Sequence, residues 1–206
     1  MNIYDRYLLP TLIHMACNAD PVRKQRETVV PRATGRVLEV GLGSGINLNY
    51  YDPAKVEMVW GLEPSEGMRK KALPRIASAP VKVQLLELPG EEIPLEDESV
   101  DTVVLTYTLC SIGPWQKALE QMRRVLKPDG RLLFCEHGEA PDENVRRWQS
   151  RINPVWKKLA GGCNLHRPIP RLLTEGGFRI DSMDAMYLPA TPKLVGYEYR
   201  GVATKP

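Results

Sequence analysis

The segment Arg36-Val37-Leu38-Glu39-Val40-Gly41-Leu42-Gly43-Ser44-Gly45 ends a short apolar run in three alternating glycines, and Val59-Trp60-Gly61-Leu62-Glu63-Pro64 ends the next apolar run in an acid. Glycines at a strand-to-helix turn let the backbone take positive φ and approach a ligand closely. An acid at the tip of the following strand stands where a carboxylate can accept two hydrogen bonds from a ribose diol. A glycine-rich turn alone is a weak sign, because it can simply make a tight bend; the turn and the acid together point to a nucleotide cofactor.

Spacing narrows the nucleotide. A dinucleotide fingerprint, G-x-G-x-x-G, would place its third glycine at position 46, which is Ile46, and no Gly-Lys-Ser/Thr of a P-loop follows. No lysine or arginine lies between Arg36 and Lys55, which is odd for a pyrophosphate cradle, whereas Glu39 suits a cationic group such as an amino-acid ammonium.

Outward from this core, the apolar runs 36–41, 57–62, 81–86, 100–106 and 130–136 read as five buried strands, with helices over 46–51, 66–77 and 115–126. The last helix is stopped by Pro128, and Asp129-Gly130 supplies the turn. This alternation predicts an α/β fold, a doubly wound and mostly parallel sheet with helices on both faces. Residues 3–30 read as a helical cover broken near Pro10 and Pro21, and 141–160 as a tryptophan-bearing helix inserted before the sixth strand. Leu165 to Glu175 reads as a further helix ended by Gly176-Gly177, and 177–187 and 194–204 as a terminal hairpin. The expected organisation is a single domain over 1–206, with an N-terminal cover (1–30) and a substrate-side segment (141–165).

In these motifs the chain resembles the class I S-adenosylmethionine-dependent methyltransferases, whose Rossmann-like sheet has seven strands. Glu39 to Gly45 resembles that family's E-x-G-x-G-x-G first motif and Glu63 its ribose-binding acid. Leu86 to Leu95, followed by Glu98-Ser99-Val100-Asp101, resembles the stretch that covers the adenine, and Arg123 to Leu132 the turn before the fifth strand. Many members carry Asp where Pro89 falls, so Glu91 or the Gly90 and Glu91 backbone would have to meet the adenine amino group. The implied cofactor-binding set is Tyr4, Glu39, Gly41, Leu42, Gly43, Gly45, Asn47, Glu63, Pro64, Met68, Gly90, Glu91, Thr106 and Tyr107. A narrower likeness carries further. Asn47-Leu48-Asn49-Tyr50-Tyr51, Thr108-Leu109-Cys110-Ser111, Glu136-His137 and Trp156 to Leu165 resemble the methyltransferase-like branch that includes microsomal thiol methyltransferases. That branch implies a small-thiol acceptor and, in animal members, a hydrophobic N-terminal membrane anchor.

Composition sets the bounds. The chain has 206 residues, 43% hydrophobic and 26% charged, an ordinary globular balance. A net charge of +3 does not argue for a nucleic-acid partner. Cys17, Cys110, Cys135 and Cys163 are far apart, with no C-x-x-C and no histidine at metal-ligand spacing, so reduced thiols in a cytoplasm and no metal centre are expected. Tyr7 to Cys17 is interrupted by Pro10 and His14 and is too short to span a bilayer, so the expected chain lacks the animal anchor and has at most loose peripheral membrane contact.

Ligands of open parallel sheets lie beyond the carboxyl ends of the strands, which selects Gly41, Glu63, Thr106 to Cys110 and Glu136-His137. Among three histidines, His137 is the candidate base because it follows a buried strand at that end, although a histidine satisfied by backbone fits the same place. Cys110, Trp148, Trp156 and His166 are the candidate acceptor-side residues, each with a plain packing or helix-capping alternative. Tyr4 and Tyr7, at i and i+3, could close over the cofactor. The expected activity is methyl transfer from S-adenosylmethionine to a small molecule, with a small thiol foremost. An amine, a phospholipid headgroup or a quinone precursor is the alternative acceptor, and a cofactor-binding protein without turnover the alternative class.

Overall fold

Strands that are apolar on both sides of the pleat need cover on two faces, and the sequence between them supplies it. The computed structural model describes residues 8–206. In it β1 (Gly35–Val40), β2 (Val56–Leu62), β3 (Lys82–Leu86), β4 (Val100–Thr106) and β5 (Leu126–His137) run parallel. With β6 (Arg179–Tyr187) and β7 (Tyr197–Thr204) they form one seven-stranded sheet in the order β3-β2-β1-β4-β5-β7-β6. β7 pairs antiparallel with both β5 and β6. This is the expected doubly wound, mostly parallel sheet.

Alternate residues of each strand feed two separate apolar layers, as the two-residue strand period requires. On one face Leu38, Val103, Leu105 and Phe134 pack against Leu119 and Met122 of α4 (Trp115–Val125) and Leu172 and Leu173 of α6 (Ile169–Glu175). On the other, Val37, Val59, Val104 and Leu133 pack against Val29 of α2 (Asp20–Val29) and Ala72 of α3 (Glu66–Ala77). The chain leaves β1 toward β2 on one side and returns as β4 on the other. A crevice therefore opens at the carboxyl ends of β1 and β4.

The break expected near Pro21 is there: α1 (Leu9–Cys17) ends before it and Pro21 sits in the first turn of α2, where its missing N–H costs nothing, as Pro10 does in α1. Other local expectations are corrected. The helix expected over 46–51 is a five-residue 3-10 turn, Ile46–Tyr50, because Asn47 and Tyr51 are drawn inward by the buried Glu39. β5 begins at Leu126 rather than 130, and the residues around Pro128 bulge out of register between the Leu126 and Arg131 pairings. The helix expected from Leu165 starts only at Ile169, since Asn164 and Leu165 bond to Cys110 and Asn153 instead. The inserted helix is α5 (Glu143–Leu159), which tolerates Pro154 within it. No helix among the described residues is long and apolar enough to cross a membrane. The expectations for Tyr4 and Tyr7 lie outside the described residues.

Candidate active site

The crevice holds a cavity of about 400 Å³, walled by the tips of β1, β2 and β4 and roofed by Leu9, Pro10, Ile13 and Cys17 of α1. Gly41, Gly43 and Gly45 all have positive φ, at 75°, 59° and 74°. A side chain at Gly41 would collide with Thr108, whereas a Cβ at Gly43 would meet nothing closer than the Met68 Cε at 3.4 Å. Gly41 is therefore small for packing, and Gly43 for its backbone angle on the cavity wall.

Glu63, 8% exposed, fixes the geometry of this loop from the next strand. Its Oε2 accepts from the Gly43 N–H at 2.9 Å and its Oε1 from the Ser65 N–H at 2.8 Å. Burial pushes its carboxyl upward, opposed by those two donors and by Arg69. Each oxygen keeps further lone-pair capacity, so the group can still receive a pair of hydroxyls from the cavity side.

Glu39 has a different place from the one expected. It is 1% exposed and absent from the cavity wall, with Asn47 Nδ2 donating to Oε1 at 2.9 Å and Tyr51 Oη to Oε2 at 2.8 Å. Burial first of all raises its carboxyl to about 7. Glu39 does not line the cavity where an ammonium would sit; with Asn47 it braces the floor beneath. Gly45 is likewise off the wall, packed near Leu48, Arg75 and Ala72. A cation that does reach the cavity is Arg26 of α2, which sequence reasoning missed. Its Nη1 donates to Asn47 Oδ1 at 2.8 Å and Thr106 Oγ1 at 2.7 Å, and its guanidinium lies 4.8 Å from the Tyr107 ring centre. Its buried Nε has no hydrogen-bond partner among the described residues. No local motif marks Arg26; only the docking of α2 on the sheet brings it there.

Of the other expected cofactor residues, Gly41, Leu42, Gly43, Glu63, Pro64, Met68, Gly90, Glu91, Thr106 and Tyr107 all line the cavity, with Pro89 beside Gly90. Tyr107 takes φ 52° at the end of β4, an uncommon angle for so large a residue, and its hydroxyl donates to Glu198 of β7.

The acceptor side is less as expected. The wall there is Thr108, Ser111 and Gly161. Cys110 is buried just behind it, and His137, also off the wall, points its Nε2 at Cys163 Sγ, 3.1 Å away. His137 therefore does not stand as a base toward the cavity. Burial works against its protonated form, but Cys163, Glu136 and Glu198 outweigh it and the imidazole is held above its ordinary value. Trp156 donates its Nε1–H to the same sulfur at 3.3 Å, so it supports Cys163 instead of walling the cavity. Trp148 is 54% exposed and lies against Arg151, on the outer side of α5. His166 neither lines the cavity nor caps α6, and its buried Nδ1 lacks a partner among the described residues.

Comparison with known proteins agrees with this geometry. Residues 38–134, from β1 through β5, match the family described as a methyltransferase domain. The human thiol S-methyltransferase TMT1B is 33% identical over 175 residues, covering 80% of this chain and 71% of the relative. Human thiol S-methyltransferase TMT1A is 30% identical over 184 residues, covering 87% and 75%. The chain belongs to the class I S-adenosylmethionine-dependent methyltransferases. A solved S-adenosylmethionine-dependent methyltransferase of Leishmania major shares this methyltransferase fold, with a TM-score of 0.71 at 17% identity over 98% of this chain and 80% of that one.

The residues present fit S-adenosylmethionine. A cavity of about 400 Å³ falls within the usual range of ligand sites. Glu63 would hold the ribose diol, the Pro89–Glu91 turn and Ile112 would enclose the adenine, and the unpartnered Arg26 Nε would take the carboxylate at the methionine end. When bound, the cofactor supplies a methyl group on a positively charged sulfur.

Proposed function

We propose that this methyltransferase acts on a small thiol. One observation carries the reading: among the described residues, the acceptor side of the cavity offers no histidine or carboxylate to remove a proton. The carboxylates on the wall are Glu63 and Glu91, which belong to the ribose and adenine ends. A phenol or carbon acceptor must lose a proton to a positioned base and an amine must be held neutral, whereas a thiol with a pKa near ~8.5 already presents useful thiolate at neutral pH. The likeness to two thiol S-methyltransferases supports the same choice.

In this reading the protein's work is positioning and exclusion of water. Glu63 and Arg26 would hold the two ends of the cofactor beside the wall of Thr108 and Ser111, and α1 closes the roof. The test is an acceptor panel of small thiols, amines, phenols and quinols incubated with the cofactor, with methylated products read by mass spectrometry. Thiols should be methylated, at a rate that rises with pH as the acceptor ionises. Thiols left untouched while a quinol or amine is methylated would overturn the proposal.

A further inference from the structure

Three soft ligand side chains from three distant segments converge beside the acceptor wall. Cys110 follows β4, His137 ends β5 and Cys163 follows α5, and the Sγ, imidazole nitrogen and Sγ atoms all lie within 4.8 Å of one another. The mechanism above uses none of them. We infer that Cys110, His137 and Cys163 form a binding site for a soft divalent metal ion of the zinc class, with a fourth coordination place left for a non-protein ligand.

The spacing suits such an ion. Tetrahedral zinc with bonds of about 2.0–2.3 Å sets its nitrogen and sulfur ligands roughly 3.5–3.8 Å apart. The His137 Nε2 to Cys163 Sγ distance of 3.1 Å and the 4.8 Å limit on the trio bracket that value. Two thiolates and one imidazole with an open position form one of the recognised donor sets of catalytic zinc. Two thiolates also balance a divalent charge, and their protons leave to solvent as the metal enters.

The supports behind the trio are already built. Glu136, fully buried beside His137, accepts from the N–H groups of Thr108 and Leu109 at 2.6 and 2.9 Å, which fixes the loop carrying Cys110. Asn164 donates through Nδ2 to the Cys110 carbonyl at 2.9 Å, tying that loop to the turn carrying Cys163. The Trp156 N–H on Cys163 Sγ is the kind of outer hydrogen bond that orients a metal-bound sulfur. No fourth Cys, His, Asp or Glu among the described residues joins the group. Cys163 and His137 are only partly buried, and Ser111 and Gly161, close in sequence to the two cysteines, line the cavity. The three ligands themselves stand off the cavity wall; the fourth place is assigned to the acceptor sulfur on the thiol reading alone, which the three-ligand site does not need.

The test titrates cobalt(II) into the full chain after treatment with a chelator and a phosphine reductant. One cobalt per chain should bind, giving thiolate-to-cobalt charge-transfer absorption and releasing protons to the buffer. Cys163→Ser and His137→Ala should each weaken binding by roughly a hundredfold or more. Unchanged calorimetric affinity for S-adenosylhomocysteine would certify that these variants fold, and Cys17→Ser should leave the absorption intact. No absorption at stoichiometric cobalt, or absorption indifferent to Cys163 and His137, overturns the site. Addition of a small monothiol to the cobalt protein should change the spectrum. An unchanged spectrum overturns the acceptor's place on the metal, while cobalt binding without any thiol methylation would leave the site standing and remove the thiol reading.

Discussion

Glu63 and Arg26, of opposite charge, are the two residues proposed to hold the cofactor at its opposite ends, and the two can be tested separately. Glu63→Ala removes charge-assisted hydrogen bonds of roughly 1.5–3 kcal/mol each, so affinity for S-adenosylhomocysteine should fall about tenfold or more by calorimetry. Arg26→Lys keeps a buried cation but loses the planar fork that holds Asn47 and Thr106 while offering Nε to a carboxylate. This variant should lose affinity for S-adenosylhomocysteine yet bind 5′-methylthioadenosine, which has no amino-acid end, nearly as well as the parent. Glu63→Ala should weaken both ligands. Equal losses for both ligands in Arg26→Lys would mean that Arg26 acts through the fold alone. Glu63 and the glycines were legible because their chemistry follows from local spacing. Arg26 and the Cys110–His137–Cys163 group were not, since their partners lie tens of residues away and only the packed sheet brings them together. Glu39 was misplaced for a related reason: the sequence shows an acid in the loop but not the Tyr51 and Asn47 donors that bind it from behind.

At the level of elements, α1 is the roof of the site. Leu9, Ile13 and Cys17, four residues apart along one helix face, meet the cavity, while Leu8, Leu12 and Met15 are exposed. Among its attachments are the hydrogen bond between His14 Nδ1 and Ser44 Oγ at 2.6 Å and the approach of Leu9 and Ile13 to Gly161. Binding of S-adenosylhomocysteine should slow hydrogen exchange in 9–17 more than in the buried strands. Ile13→Asp should raise the dissociation constant several-fold with little change in the urea midpoint; an unchanged constant would make α1 a passive cover. The strands were legible because a run buried on both faces must be apolar throughout. The short connections were not. Whether 46–51 becomes a full helix depends on where Asn47 and Tyr51 point, and the start of α6 depends on bonds from Asn164 and Leu165 to distant loops.

For the whole molecule, buried carboxyls set the response to pH. Burial raises Glu39 and Glu198 to about 7, well above the ordinary 4.5. As pH climbs from 4.5, the unfolded chain gives up these protons first, so the native state holds more of them across the window up to about 7. Their contribution to stability is full below the lower value and is lost as pH rises through the upper one. The thermal midpoint of Glu198→Gln should therefore change less between pH 5 and 7.5 than that of the parent; parallel curves would show that Glu198 carries no such linkage. The strand bearing Glu198 has one more consequence. β7 is the last of the seven strands in the chain, yet it occupies the slot between β5 and β6. During synthesis on a ribosome the long β5 emerges early and waits with one edge bare until residues 197–204 arrive, so a nascent chain can neither finish its sheet nor give Tyr107 its partner before translation has passed that point.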